Sequence, residues 1–340
     1  MDFSKGYKSS FYMTLVDPVS WGDYGRIDLI SGSINRTDSE IRQSASLTVT
    51  DYPYGSDRLV RLYMNVDQNG TTDRVALFTG LVSTPSYSYQ DGVPNINLQC
   101  YSVLKPLQDV ILPHGWYVDK NSNCLSELRE LLSVSGAPVA FYNYDESELH
   151  ELGDYIVAED NETNLSMAEM LLYVMGWVMW IDGDGTIILA PNQNDPIVRP
   201  AISFSKDYDI IQTNFTVNHD WFECPNCLRA TFNEFTAVAK DEDEDSPFSI
   251  QNRGREIWAV EDNVDLLNDE TIAEYAENRL VELQESYETV SYNRPFVPGI
   301  NVGNKIRIAY PQLSGDFIVT SQNITLGNAA IINEEVKRSV

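Results

Sequence analysis

Four cysteines in 340 residues are too few for a disulfide framework. Cys100 and Cys124 read as ordinary buried thiols. The three histidines, His114, His150 and His219, lie too far apart to make a paired metal motif. Basic residues are scarce, with 23 Lys and Arg against 51 Asp and Glu and a net charge of −28. A nucleic-acid binder needs a basic footprint, so this deficit argues against one. It argues equally against docking on an anionic membrane surface. Long apolar runs are missing too. The longest, Met170 to Ile181 (MLLYVMGWVMWI), falls short of the roughly 20 residues that span a bilayer. The opening MDFSKGYKSSFYM has neither the apolar stretch nor the small-residue cleavage site of a signal peptide. The expectation is synthesis in the cytoplasm and no membrane anchor.

Catalytic signatures are also lacking. There is no G-x-S-x-G, phosphate loop, H-E-x-x-H or dinucleotide fingerprint. Paired carboxylates for glycosidase work cannot be picked out among 51 acidic residues, since their separation in space decides the chemistry. The expectation is no enzyme, no cofactor and no metal.

An ordinary apolar content of 43% marks a folded chain, and its length suggests roughly two to three domains. The first third reads as β, with strands at 26–30, 41–50, 59–66, 75–82 and 96–101. Turn signals such as Gln68-Asn69-Gly70 punctuate them, as in a small antiparallel barrel or sandwich. The middle changes period. Leu125, Leu128, Leu131 and Leu132 have helical spacing over 122–133. A second helix starts near Asn164, capped by Asn164 or Ser166 with Glu169 completing a capping box, and ends near Gly176. Strands at 177–181 and 186–189 then flank Asp182-Gly183-Asp184-Gly185, a tight hairpin. The last third returns to β at 210–217, 228–238, 290–292, 305–309, 316–320 and 323–326, with a long helix over 268–285 capped by Asn268 or Asp269. The fold class is mainly β (α+β). Residues 1–114 form a first β domain, 115–198 an α/β insert and 199–340 a second β domain.

Several motifs invite chemistry. Cys224-Pro225-Asn226-Cys227 supplies half a zinc site, with His219 as a conceivable third ligand and no fourth in view. A redox pair would sit at a helix N-terminus, whereas Leu228 to Phe232 continues as a strand, so a turn between strands is the simpler reading. Asp182-x-Asp184-Gly185 starts like a calcium loop, but Gln193 stands where the bidentate Glu is needed. Asp241-Glu242-Asp243-Glu244-Asp245 reads as a flexible, solvated loop tip, because like charges at that density repel. Trp177 and Trp180 read as core.

The order of segments resembles the baseplate hub proteins of tailed bacteriophages and the related head of type VI secretion spikes. Three stretches carry the likeness. The first joins Ile34 to Val49, Leu59 to Tyr63 and Ala76 to Val82, which holds the Phe78-x-Gly80 element. The second runs from Tyr155 to Leu189. The third joins Pro298 to Ile308, with its Gly303 turn, to Gly315 to Thr320. The resemblance implies two tube-like antiparallel β-barrel domains per chain with the small α/β module inserted. It implies a homotrimer whose six β domains adapt a sixfold tail tube to a threefold spike and line a central channel. The work is structural and positional. The implied partners are the tail tube or distal tail protein on one side, the central spike on the other, further baseplate proteins, and DNA that passes without specific binding. The implied location is the virion tail baseplate, assembled in the host bacterial cytoplasm. Gly80, Gly303 and Gly315 are the structural turn candidates, and Asp241 to Asp245 is a candidate channel or loop cluster. An acidic lumen would repel phosphates. The alternative is a tail-tip carbohydrate- or receptor-binding protein using Tyr52-Pro53-Tyr54 and Ser86-Tyr87-Ser88-Tyr89.

Overall fold

The computed structural model describes residues 7–39, 41–55, 57–90, 93–142, 155–191, 202–205, 214–219, 221–262, 264, 271–285, 288–327 and 330–339. Seven strands come first: β1 (Lys8–Val16), β2 (Asp23–Thr37), β3 (Gln43–Val49), β4 (Leu59–Gln68), β5 (Thr71–Val82), β6 (Ser86–Gln90) and β7 (Val93–Ser102). Six of them close into a barrel. β1 pairs with β4, β4 with β5, β5 with β7, β7 with β3 and β3 with β2, and β2 returns to β1, all antiparallel. Asn69 and Gly70 take φ of 53° and 79°, as a tight hairpin between twisted strands requires. Met13, Leu15, Ile34, Leu47, Leu62, Phe78 and Leu98 fill the interior. β1 was not foreseen, and the strand expected at 26–30 is a 15-residue one. Ser86 to Tyr89 lies in strand β6, which pairs with the first half of β7.

The insert follows: α1 (Lys105–Asp109), β8 (Tyr117–Val118), α2 (Cys124–Ser133), β9 (Val139–Phe141), β10 (Ile156–Val157), α3 (Asn164–Val174), β11 (Trp177–Ile181) and β12 (Ile187–Pro191). Asn123 caps α2, its side chain accepting from the Ser126 N–H. The cap of α3 is Thr163, one residue before the expected Asn164, with Ser166 returning the bond in a reciprocal box. Asn164 is the first helical residue, and its amide donates to the Leu131 carbonyl across to α2. Gly176, at φ 63°, ends α3 as expected. β11 and β12 form the expected hairpin, and β9 adds a parallel neighbour. The helices and hairpin share one core, which also takes Val16 and Leu59 from the barrel. Trp177 lies in that core.

The last third holds β13 (Ile202–Ser205), β14 (Phe215–His219), β15 (Cys227–Phe232), β16 (Phe235–Lys240), α4 (Ile250–Arg253), β17 (Trp258–Asp262), α5 (Ile272–Glu285), β18 (Glu288–Pro295), β19 (Lys305–Tyr310), β20 (Leu313–Leu326) and β21 (Ile331–Ser339). One sheet runs β13-β19-β20-β21-β18-β14. It differs from the expected second antiparallel barrel in two ways. β13 and β19 are parallel, and no pairing among the described residues joins β13 to β14. The strands expected at 316–320 and 323–326 are one strand, β20, with an irregular register opposite Val319 to Ser321. β21 was not foreseen.

The other departure is a second small α/β unit. β15 lies between β16 and β17, with α5 packed on one face through Ala276 and Leu280 against Leu228, Ala230 and Ala239. The strand expected over 228–238 is interrupted at Asn233, whose φ of 52° turns β15 into β16. Asn readily adopts that conformation. Thr271 and Glu274 cap α5 reciprocally. The expected caps Asn268 and Asp269, and residues 210–213 of the expected strand 210–217, lie outside the described residues.

Two long strands unite the molecule. β2 pairs with β1 through Asp23 to Asp28, then with β20 through Gly32 to Thr37 on that edge. β20 pairs with β19 through Leu313 to Ile318, then with β2 through Ser321 to Leu326. Each strand changes partner halfway, so barrel and second sheet become one continuous 13-stranded sheet.

Candidate assembly surfaces

The junction of β2 and β20 is built around buried charge. Arg294 on β18 and Glu334 on β21 are both fully buried. The Arg294 Nη2 donates to Glu334 Oε1 at 2.6 Å and its Nε to Oε2 at 2.8 Å. Tyr292 Oη donates to Oε2 at 2.6 Å and Gln322 Nε2 to Oε1 at 2.7 Å. Burial alone would raise the Glu334 pKa, yet Arg294 and these donors hold it below the ordinary carboxylate value. Arg36 on β2 completes the cluster, donating to the Leu77 carbonyl at 2.6 Å and to Asn301 Oδ1 at 2.8 Å. Burial pushes its pKa down to about 10, against the pull of Asp182 and with repulsion from Arg294. It stays charged at neutral pH. Sequence reasoning missed this cluster, although a signal was present. Ile332, Glu334 and Val336 share one strand face, as do Val290, Tyr292 and Arg294, so each ion occupies an inward position.

The insert is pinned to the barrel mouth by the tip of the β11–β12 hairpin. The Asp184 carbonyl accepts from Trp21 Nε1 at 3.2 Å and Arg61 Nη2 at 2.9 Å, and the Gly183 carbonyl from Thr79 Oγ1 at 2.8 Å. Gln43 Nε2 donates to the Ile181 carbonyl at 2.7 Å. Asp182-x-Asp184-Gly185 is thus a hairpin turn, as expected, and its backbone makes the joint. A Cβ on Gly183 would run into the Ala76 carbonyl.

The three candidate turn glycines divide. Gly303, at φ 79°, sits in a turn whose N–H donates to the Val319 carbonyl at 2.7 Å. Gly80 is not at a turn but inside β5, where β5 pairs with both β4 and β7. A Cβ there would meet the Tyr101 carbonyl and the Phe78 ring, so Phe78-x-Gly80 records a close approach of strands. Gly315 likewise lies within β20, opposite Ile308. Its φ of 150° suits glycine, and a side chain would meet the Arg338 guanidinium.

In the acidic run 241–245, expected to be a solvated loop tip, Asp241 is half-buried and the other four are exposed, and the loop carries its own hydrogen bonds. Asp241 accepts from the Asp243 N–H, Ser246 Oγ and Gln284 Nε2, and Asp243 accepts from the Asp245 N–H. Asn252 Nδ2 donates to the Glu244 and Ser246 carbonyls. Cys224 and Cys227 are buried, without a disulfide, at a turn leading into β15. Between them the buried Asn226 donates to the Phe248 and Arg255 carbonyls and accepts from the Ile257 N–H. His219 lies on β14 beside Glu288, Nδ1 to Oε2 3.7 Å. His150 lies outside the described residues. Among the described residues no three His, Cys, Asp or Glu side chains are grouped to hold a metal ion.

Of the tyrosines that the alternative carbohydrate- or receptor-binding reading would use, Tyr52 is buried in the barrel core, while Tyr87 and Tyr89 are exposed on β6. No described helix is long and apolar enough to cross a membrane. What the surface does offer, among the described residues, is sheet edges at β6, β13 and β14. It also offers exposed aromatics at Trp221, Phe222 and Trp258.

No protein-family model and no curated protein matches the sequence. Solved structures do match. The tail protein from Neisseria meningitidis MC58 superposes with a TM-score of 0.69 at 14% identity, over 98% of this chain and 97% of that one. The 43 kDa tail protein of prophage MuSo2 from Shewanella oneidensis gives 0.67 at 14% identity, over 98% of both chains. A chain of the Francisella PdpA–VgrG complex gives 0.59 at 8% identity, over 98% of this chain and 58% of that one. The fold is that of phage tail proteins, mainly β and continuous from end to end.

Proposed function

We propose that this chain is a structural baseplate hub of a phage tail or related contractile particle, with no catalytic role. The observation that carries the reading is end-to-end likeness to two tail proteins in a chain built of two joined β regions. Three copies would present six β regions around an axis, which suits an adaptor between a sixfold tube and a threefold spike. The division into β domains at 1–114 and 199–340, with an insert at 115–198, belongs to this proposal. So do the tube, spike and further baseplate partners, the DNA passage, assembly in the host cytoplasm and residence in the virion. The likeness to a chain of a complex that includes VgrG supports the spike side of the reading.

A cyclic hub needs head-to-tail interfaces that close. Open sheet edges supply such interfaces, because an edge strand presents unpaired backbone groups. Native mass spectrometry of the purified chain over a range of concentrations tests the reading. A species of three chains is expected. A monomer at every concentration would count against it.

A further inference from the structure

We propose that one end of the β15–β17 unit is a contact between copies of this chain. The acidic loop 241–245 of one copy seats on an arginine and aromatic surface of the next. This rests on the trimer reading and assigns one of its interfaces.

The receiving surface is a fixed turn. Trp221 is 51% exposed and Phe222 68%, which is costly for large rings that the chain could fold inward. Two arginines hold them out. The Arg253 guanidinium donates to the carbonyls of Trp221, Phe222 and Cys224. Arg255 donates to the Phe222 carbonyl at 3.0 Å and lies over the Phe222 ring, 4.4 Å from its centre. Trp258, 45% exposed, opens β17 three residues later and pairs with Cys227.

The charge of this surface runs against the rest of the molecule. In a chain of net charge −28, Arg229, Arg253 and Arg255 have no carboxylate at ion-pair distance among the described residues. Their acidic neighbours are Glu223, in the same turn, and Glu256, which Lys240 already holds at 2.6 Å.

The complementary patch lies beside it. The loop 241–245 leaves β16 at the end where β15 and β17 begin. It is tied to the aromatic turn by Phe248, whose ring meets Trp221 edge-on at 6.3 Å. A cyclic head-to-tail contact needs two different patches that face each other in neighbouring copies. Two adjacent, oppositely charged patches at one end of a unit meet that requirement around a threefold axis. Both are pre-ordered, the loop by Asp241 and Asn252 and the turn by Arg253 and Arg255, so docking orders little further chain. Tryptophan and arginine are the residue types that dominate interface energy. Self-repulsion among five consecutive carboxylates would fall once guanidinium groups face them.

Sedimentation velocity on the full chain, at low and high salt, tests this. Wild type is expected to trimerise, more weakly at high salt. Glu242→Lys with Glu244→Lys, both with exposed side chains that make none of the bonds ordering the loop, should weaken trimerisation about tenfold or more, since like charges then face each other. Adding Arg229→Glu, which leaves the bonds of Arg253 and Arg255 to the turn intact, should restore part of it. Phe222→Ser alone should also weaken it, with an unchanged melting temperature. If wild type trimerises and the lysine variant matches it, this contact is wrong and the trimer reading stands. If wild type is monomeric at every concentration, both fall.

Discussion

The two β regions solve the same problem in different ways. In the first, six strands close on themselves and the interior is apolar, with Met13, Leu62, Phe78 and Leu98 at its centre. In the second, the described strands of the sheet end at β13 and β14, and its junction with the barrel is filled by Arg294, Glu334, Tyr292, Gln322 and Arg36. A closed barrel has no edge to protect. An open sheet keeps edges that neighbours can use, and its polar junction ties strands together by specific geometry. Buried ions of this kind add little net stability over apolar packing, but breaking one is expensive. The comparison assigns self-sufficiency to the first region and dependence, on charge and on neighbours, to the second.

The largest expected effect lies in the open region. Glu334→Ala leaves Arg294 buried beside an empty site and should cost about 3–5 kcal/mol, read from denaturant unfolding. The same carboxyl gives a pH test. Its folded pKa is depressed, so its contribution is present above the unfolded value, about 4.3, and is lost as pH falls through the folded value. Acidification below the ordinary carboxylate range should therefore lower the melting temperature. Glu334→Gln should flatten that part of the profile, and an unchanged profile would show that the pair is not the acid-sensitive element.

The closed region should break through packing instead. Gly80→Ala drives a Cβ into the Tyr101 carbonyl and the Phe78 ring, an overpacking cost of about 1–3 kcal/mol with no added pH dependence. Gly303→Val forces a β-branched residue to φ 79° and should cost about 1–2 kcal/mol, lowering trimer yield more than solubility. Asp241→Ser removes the acceptor of Ser246 and Gln284 and should cost about 1 kcal/mol. Glu242→Ser with Glu244→Ser should change stability by less than about 0.5 kcal/mol. Equal losses from the last two would show that the whole run is structural.

The barrel was largely legible because its strands alternate and its turns carry Asn and Gly where positive φ is required. The three longer helices were legible, α2 from its leucine spacing, but the reciprocal box of α3 is Thr163 with Ser166, three residues before the expected Ser166 and Glu169. Strand partners were not legible. The mid-strand exchange of β2 and β20 depends on which edges meet in space, and no local pattern encodes it. The β15–β17 unit was hidden because Asn233 is a weak turn signal alone, without a following Gly. The central ions were readable as charges on apolar strand faces. Their pairing across about 40 residues, Arg294 to Glu334, was not.

The most direct test of the account is cryo-electron microscopy of the assembled chain. A threefold ring with an open centre is expected, each copy placing its closed barrel and its open sheet side by side around the opening. Particles without threefold symmetry, or rings in which one of the two β regions stands away from the opening, would contradict it.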